Sequence, residues 1–230
     1  MLFRSLYADR LTPALVAASA SRWPDRPDCG WPSWAFENHD APRAVSRWVA
    51  TEHRGQFARA KMLLLAALRG SIILYQGEEL GLTQVEVPFE LLQDPEAIAN
   101  WPQTLSRDGV RTPMPWSADA LGHGFTSGRP WLPFGTDHPA LSVDRQAADP
   151  HSLLHYTRRV IAFRSGLPSL RWGSFELIEA GAAMLVFDRV RGAERLRCTF
   201  NLSDTPQPAA RGDVVFATGE VHSGDRKSVV

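Results

Sequence analysis

Trp34-Ala35-Phe36-Glu37-Asn38-His39-Asp40 is a short apolar run that opens into polar residues, and Ser71-Ile72-Ile73-Leu74-Tyr75 is a second apolar run further on. Between them, Gln56 to Arg69 is rich in Ala, Leu, Met, Lys and Arg, the strong helix formers, and Gly70 stands where a C-cap glycine belongs. Apolar runs bounded by turn residues predict buried strands near 34–38 and 71–75. Strand, helix and strand with a short return make a βαβ unit, the signature of an α/β fold with parallel strands.

That reading puts Asn38-His39-Asp40 at the carboxyl end of a buried strand. In a parallel barrel this end is the catalytic face. From these three residues alone an equally good role for Asp40 is to cap a turn.

On the N-terminal side, residues 12–22 read as a helix that stops at Trp23-Pro24-Asp25-Arg26-Pro27, where two prolines forbid continuation. On the C-terminal side, regularity fades from Gln84 to Leu141, and Pro, Gly and Trp dominate. An irregular stretch of that length inside a compact chain is expected to be a functional loop system, and its tryptophans suit a flat ligand. Pro150 precedes a helix over about 152–164, ended by Gly166 and Pro168. Beyond Pro168 the apolar period becomes two, over 175–178, 184–187 and 196–201, which predicts an antiparallel sheet and a second domain.

The 230 residues carry 25 Lys plus Arg against 25 Asp plus Glu, so no net field draws the chain to nucleic acid or to an anionic membrane, and a neutral substrate fits better. The longest strongly apolar run, Met62 to Leu68, falls far short of the roughly 20 residues of a membrane span. Leu11 to Ala20 ends in small residues like a signal peptide, but Asp9, Arg10 and Pro13 break the apolar region such a peptide needs. Cys29 and Cys198 have no C-x-x-C spacing and read as unpaired buried thiols, which favours a reducing, cytoplasmic setting.

Several motifs fail on spacing. Gly122-His123-Gly124 with Gly128 is not G-x-G-x-x-G and follows no strand; His151 and His155 lie one helical turn apart, but Ser152 stands where H-E-x-x-H needs glutamate. No G-x-S-x-G elbow occurs. No metal or cofactor is expected from this chain.

Phe36-Glu37-Asn38-His39-Asp40 resembles the fourth conserved region of the α-amylase superfamily, glycoside hydrolase family 13, which closes with Asn-His-Asp after strand seven of a (β/α)8 barrel. Three further matches follow in the family's order. Leu68-Arg69-Gly70 through Tyr75-Gln76-Gly77-Glu78-Glu79-Leu80-Gly81 resembles its strand-eight segment. Arg107-Asp108-Gly109-Val110-Arg111-Thr112-Pro113-Met114-Pro115-Trp116 resembles the signature of its α-glucosidase and oligo-1,6-glucosidase branch, and Pro130-Trp131-Leu132-Pro133 comes at the expected place. The likeness covers about residues 1–205.

The resemblance implies the C-terminal portion of a (β/α)8 TIM barrel followed by an antiparallel β-sandwich. Residues 1–167 would be the last barrel units, with strand seven near 34–38, strand eight near 71–75 and the final helix near 152–164. Residues 168–224 would be an incomplete β domain. Asp225 to Val230 matches what one frame of a sequencing adapter encodes, and is expected not to be biological.

Retaining glycosidases work with a carboxylate nucleophile about 5 Å from a carboxylic acid that protonates the leaving oxygen. The resemblance makes Asp40 the family's third carboxylate, which stabilises positive charge on the sugar, with His39 and Arg107 binding the same terminal glucose. Arg107 is expected to pair with an aspartate from early in the barrel, Arg111 to be a structural partner of nearby carboxylates or carbonyls, and Glu78 not to be the acid. The family's nucleophile and general acid lie on strands four and five, upstream of anything present here, so Met1 is expected to open inside the sixth barrel unit. The expected partners are an oligosaccharide or α-glucoside substrate and the missing N-terminal half, and the chain alone is expected to be inactive. Two further readings stay open: a glucosyl-transferring or sucrose-active relative, and a non-catalytic partner subunit.

Overall fold

The computed structural model describes residues 8–23, 30–103, 106–208 and 213–218. Cys29 and the 225–230 tail lie outside the described residues. The chain divides into two compact units, the first drawn from Met1–Ala35, Arg59–Ile73 and Arg159–Val230, the second from Phe36–Ala58 and Leu74–Arg158. Each unit is therefore discontinuous in sequence.

In the first unit, helix α1 (Pro13–Ser21) starts where Thr12 accepts the Leu15 N–H at 3.1 Å and Pro13 supplies a preset φ. Strand β1 (Ser33–Trp34) pairs in parallel with β2 (Ser71–Ile72), in the register Ser33↔Ser71 and Trp34↔Ile72. Both are shorter than the sequence suggests over 34–38 and 71–75. The ladder ends at the Ile73 N–H bond to the Trp34 carbonyl, 2.9 Å, because beyond it Phe36 and Glu37 turn away into the second unit's side-chain bonds. The Trp34 indole N–H donates to the Arg69 carbonyl at 2.7 Å, which fixes the register.

Two helices lie between these strands in sequence, α2 (Ala44–Arg47) and α3 (Arg54–Ala67). Every residue from Met62 to Leu68 is buried, as a continuous apolar run on a helix requires. Gly70 is not the C-cap glycine, since α3 ends at Ala67. Gly70 has φ +117° and a Cβ there would sit 2.2 Å from the Pro32 carbonyl oxygen, so the close strand approach is what requires glycine.

The antiparallel sheet has the order β3 (Ser174–Ala180), β4 (Met184–Arg191), β5 (Glu194–Asn201), longer than the pattern alone indicates. Phe175, Phe187 and Phe200 stack across the three strands at centroid distances of 4.6 and 6.0 Å. Asp188 accepts from Arg197 Nε at 2.8 Å and Arg195 Nη1 at 2.6 Å; these bonds, Arg197 foremost, hold its carboxyl below the usual range.

The second unit is mostly irregular, with α4 (Pro95–Ala99) and α5 (Val143–Ala148) joined by single turns; α6 (Leu153–Gly166) begins in it. Leu80, Leu82 and Leu154 form a core with Met114, Leu141 and Val143 packed against it. His138 is fully buried, with Nε2 3.3 Å from the Thr83 carbonyl. A carbonyl only accepts, so Nε2 carries the proton and Nδ1, which has no hydrogen-bond partner, is a bare lone pair. Asp144 staples a loop by accepting from the Ser142 and Ser117 hydroxyls, and is held at about 2.

These two groups contribute to an acid response. Burial pushes His138 below its ordinary 6.5, so the unfolded chain takes up a proton first and stability declines as pH falls from 6.5 toward the folded value. Asp144 contributes stability above 3.8 that is lost as pH falls toward about 2. A thermal midpoint followed by circular dichroism should therefore drop in two stages, and His138→Gln should remove the first alone. An unchanged midpoint between pH 7 and pH 5 would show that His138 protonates freely in the fold.

Candidate active site

Phe36 is fully buried and stacks edge-on with Trp48 at 5.9 Å, which in turn meets Phe57 at 6.1 Å, so the chain leaves the strand from a rigid point. Glu37 is buried next. Its carboxylate accepts from Arg43 Nη1 at 3.1 Å and from the Ala44 N–H at 3.2 Å. Arg43 also donates to the Gln76 carbonyl at 2.8 Å and lies over the Tyr75 ring, 4.8 Å from its centre. The Asn38 side-chain oxygen accepts the N–H groups of Asp40 and Ala41 at 2.9 and 2.8 Å, an Asx turn that presents the two intervening side chains outward.

His39 is 65% exposed and Asp40 34%, with His39 Nε2 3.3 Å from Asp40 Oδ2. The other carboxylate oxygen, Oδ1, accepts from Arg111 Nη2 at 2.9 Å and lies 3.8 Å from Arg107 Nη1. The adjacent His39 and Asp40 thus stand with Arg107, distant in sequence, at one half-exposed place in the second unit. Arg111 belongs to it as well, donating from Nε to the His39 carbonyl at 2.8 Å.

The turn Arg107–Val110 is anchored from beneath by Asp108, which is buried and accepts the Gln93 and Asp94 N–H groups at 2.6 and 2.9 Å. Tyr75 donates its hydroxyl proton to the Val110 carbonyl at 3.3 Å. Arg107 is held by Asp94, which takes Nε at 2.9 Å and Nη2 at 2.5 Å and also the Arg107 N–H at 3.0 Å. That side-chain pairing pulls the Asp94 carboxyl well below the usual carboxylate range and raises the Arg107 guanidinium further, so both are ionised at any ordinary pH.

Asp94 was not legible as a site residue. Asp94-Pro95 reads as an N-cap followed by a first-turn proline, and Asp94 does cap α4, accepting the Glu96 N–H at 3.3 Å. Both of its oxygens also hold Arg107, a second role that sequence spacing does not display. Glu78, at the end of the second apolar run, is buried and accepts the Tyr75 N–H at 3.1 Å, a structural position away from solvent.

Residues 13–173 match the family model described as "Alpha amylase, catalytic domain". A "Probable alpha-glucosidase" of Rhizobium meliloti (strain 1021) is 45% identical over 206 residues, 88% of this chain and 37% of that protein. An "Oligo-1,6-glucosidase" of Parageobacillus thermoglucosidasius is 31% identical over 214 residues, 84% of this chain and 38% of that one. The crystal structure of the α-glucosyl transfer enzyme XgtA superposes with a TM-score of 0.82 and 43% identity, over 90% of this chain and 39% of its own. The trehalulose synthase MutB superposes with a TM-score of 0.80 at 26% identity, over 93% and 44%. The chain therefore spans less than half the length of these relatives. With its Asn-His-Asp turn facing an Arg-Asp-Gly turn, and with the match running through both, the chain belongs to the α-amylase family, glycoside hydrolase family 13.

Proposed function

We propose that this chain supplies part of the active site of an α-glucosidase that hydrolyses terminal α-linked glucose with retention. One observation carries the reading: the half-exposed Asp40 carboxylate is gripped by Arg111 through Oδ1, while Oδ2 meets only the exposed His39 ring, 3.3 Å away, among the described residues. A carboxylate so placed favours positive charge at the sugar's reacting carbon, a charge that exists only as the glycosidic bond breaks. His39 and Arg107 would donate to hydroxyls of the same glucose; the pairing of Arg107 with Asp94 leaves Nη1 for that use.

Bond cleavage itself needs a nucleophile and an acid. In this reading both come from a preceding part of the barrel, to which residues 1–167 add the last units and residues 168–224 an antiparallel β-sandwich domain. The parallel β1–β2 pair suits a barrel part of this reading and the three-stranded antiparallel sheet a β part. No helix among the described residues is long and apolar enough to cross a membrane; a cytoplasmic enzyme suits the free, buried Cys198.

The purified 230-residue chain should accordingly release no nitrophenol from a nitrophenyl α-glucoside above the buffer rate. Turnover by that chain, lost in Asp40→Asn, would refute the assignment of nucleophile and acid to another segment. A second reading, glucosyl transfer, is favoured by the 43% identity to XgtA. It differs only in how well water is kept from the glucosyl intermediate. Product analysis of a complete enzyme carrying this segment, with maltose as donor and hydroquinone as acceptor, separates the two. Retention of Asp40, His39 and Arg107 in one cluster disfavours a non-catalytic partner subunit.

A further inference from the structure

Asp40 lies between two arginines that do different things. Arg107 is committed to Asp94 through Nε and Nη2, and its remaining Nη1 stands 3.8 Å from Asp40. Arg111 makes close contact with the loop, and does so at two points: Nη2 donates to Asp40 Oδ1 at 2.9 Å and Nε to the His39 carbonyl at 2.8 Å. One bond holds the side chain and the other holds the backbone that bears it.

The grip is itself braced. Arg111 closes the turn over Arg107–Val110, its N–H bonded to the Asp108 carbonyl at 2.9 Å, and Asp108 is buried against the Gln93 and Asp94 amides. On the facing side, Asn38 fixes the Asp40 and Ala41 amides, and the buried Glu37–Arg43 pair fixes the segment on either side. Two rigid turns are thus joined by one planar guanidinium, whose fork sets distance and angle together; an ammonium group on a flexible stem cannot do that.

We infer that Arg111 is a positioning residue for Asp40: it orients the carboxylate so that Oδ2 alone faces the sugar. This rests on the reading of Asp40 as the carboxylate that stabilises the transition state. Misplacement by about 1 Å at such a group costs on the order of 100-fold in rate, with little effect on ground-state binding.

The test has two arms. In the 230-residue chain, the Arg111 Nε–H resonance should be slow to exchange with water, and Asp40→Asn should shift it. A freely exchanging signal that ignores Asp40→Asn overturns the inference without any assay of activity. In the second arm this chain replaces the matching C-terminal segment of the Rhizobium meliloti relative. There Arg111→Lys should lower kcat on the order of 100-fold with KM changed less than about threefold, and added guanidinium should restore part of the kcat of Arg111→Ala. A folded, active chimera in which Arg111→Lys keeps its kcat overturns the positioning role alone. A chimera folded by circular dichroism but inactive with Arg111 intact overturns the proposed function, and the positioning role with it.

Discussion

Glu37→Ala is expected to lower stability by about 3–5 kcal/mol, the cost of leaving one member of a buried ion pair without its partner. Both side chains are 1% exposed, so water cannot take the place of the lost carboxylate. Arg43 would keep its bonds to the Gln76 and Val110 carbonyls, but these carry only partial charge, and its guanidinium would stay buried with a full one. The Ala44 N–H would lose its acceptor too. Glu37→Gln should cost less, since a neutral amide of the same shape still offers an oxygen to Ala44. A urea titration measures both. A midpoint change worth less than about 1 kcal/mol for Glu37→Ala, the size of an exposed pair, would mean that solvent reaches Arg43 in solution. Because Arg43 ties the segment after Glu37 to the Val110 turn, the same substitution should also disturb the Arg111 grip on Asp40.

Arg164→Met is the second large effect, expected to exceed about 3 kcal/mol because each buried carbonyl left without a donor costs about 1–3 kcal/mol. Helix α3 ends among apolar side chains, where no water can satisfy its last carbonyls. Arg164 serves three carbonyls at this end, that of Ala66 in the last turn and those of Leu68 and Gly70 just beyond it. Arg189, also buried, donates to the Ala67 carbonyl at 2.6 Å. Desolvation lowers the Arg164 pKa, yet its charge is favoured by the negative end of the helix dipole. Arg164→Lys should recover only a fraction, since one ammonium cannot span carbonyls distributed over a whole turn. Amide hydrogen exchange along α3, read with the unfolding midpoint, checks this; unchanged protection at Leu64 to Leu68 in Arg164→Met would contradict it.

The local elements could be read from the chain because their causes are local. Thr12 and Pro13 start α1, the run from Met62 to Leu68 requires a helix buried on all sides, and period-two patterning after Pro168 gives three strands. Strand ends were not legible for β1 and β2. Where a ladder stops depends on what the next residues bond to, and Glu37 bonds to the Arg43 side chain and Asn38 to the Asp40 and Ala41 amides rather than to a neighbouring strand. Gly70 shows the same limit: the glycine was visible, but the Pro32 carbonyl that excludes a Cβ was not.

At the candidate site, the family resemblance marked Asp40, His39 and Arg107, while the partners that hold them came from elsewhere in the second unit. Asp94 looks like an ordinary cap, and the resemblance marks Arg111 as a structural partner of nearby carboxylates or carbonyls without saying which. The sequence does not say which carboxylate each arginine grips: Arg107, expected to pair with an aspartate from early in the barrel, takes Asp94 instead, and Arg111, four positions later, takes Asp40. Sequence by itself determined the family and the βαβ order, because these depend on residue type and on spacing along the chain. Only the tertiary structure decided which guanidinium faces which carboxylate, because ion pairing depends on distances between segments some seventy residues apart, and no local pattern encodes those.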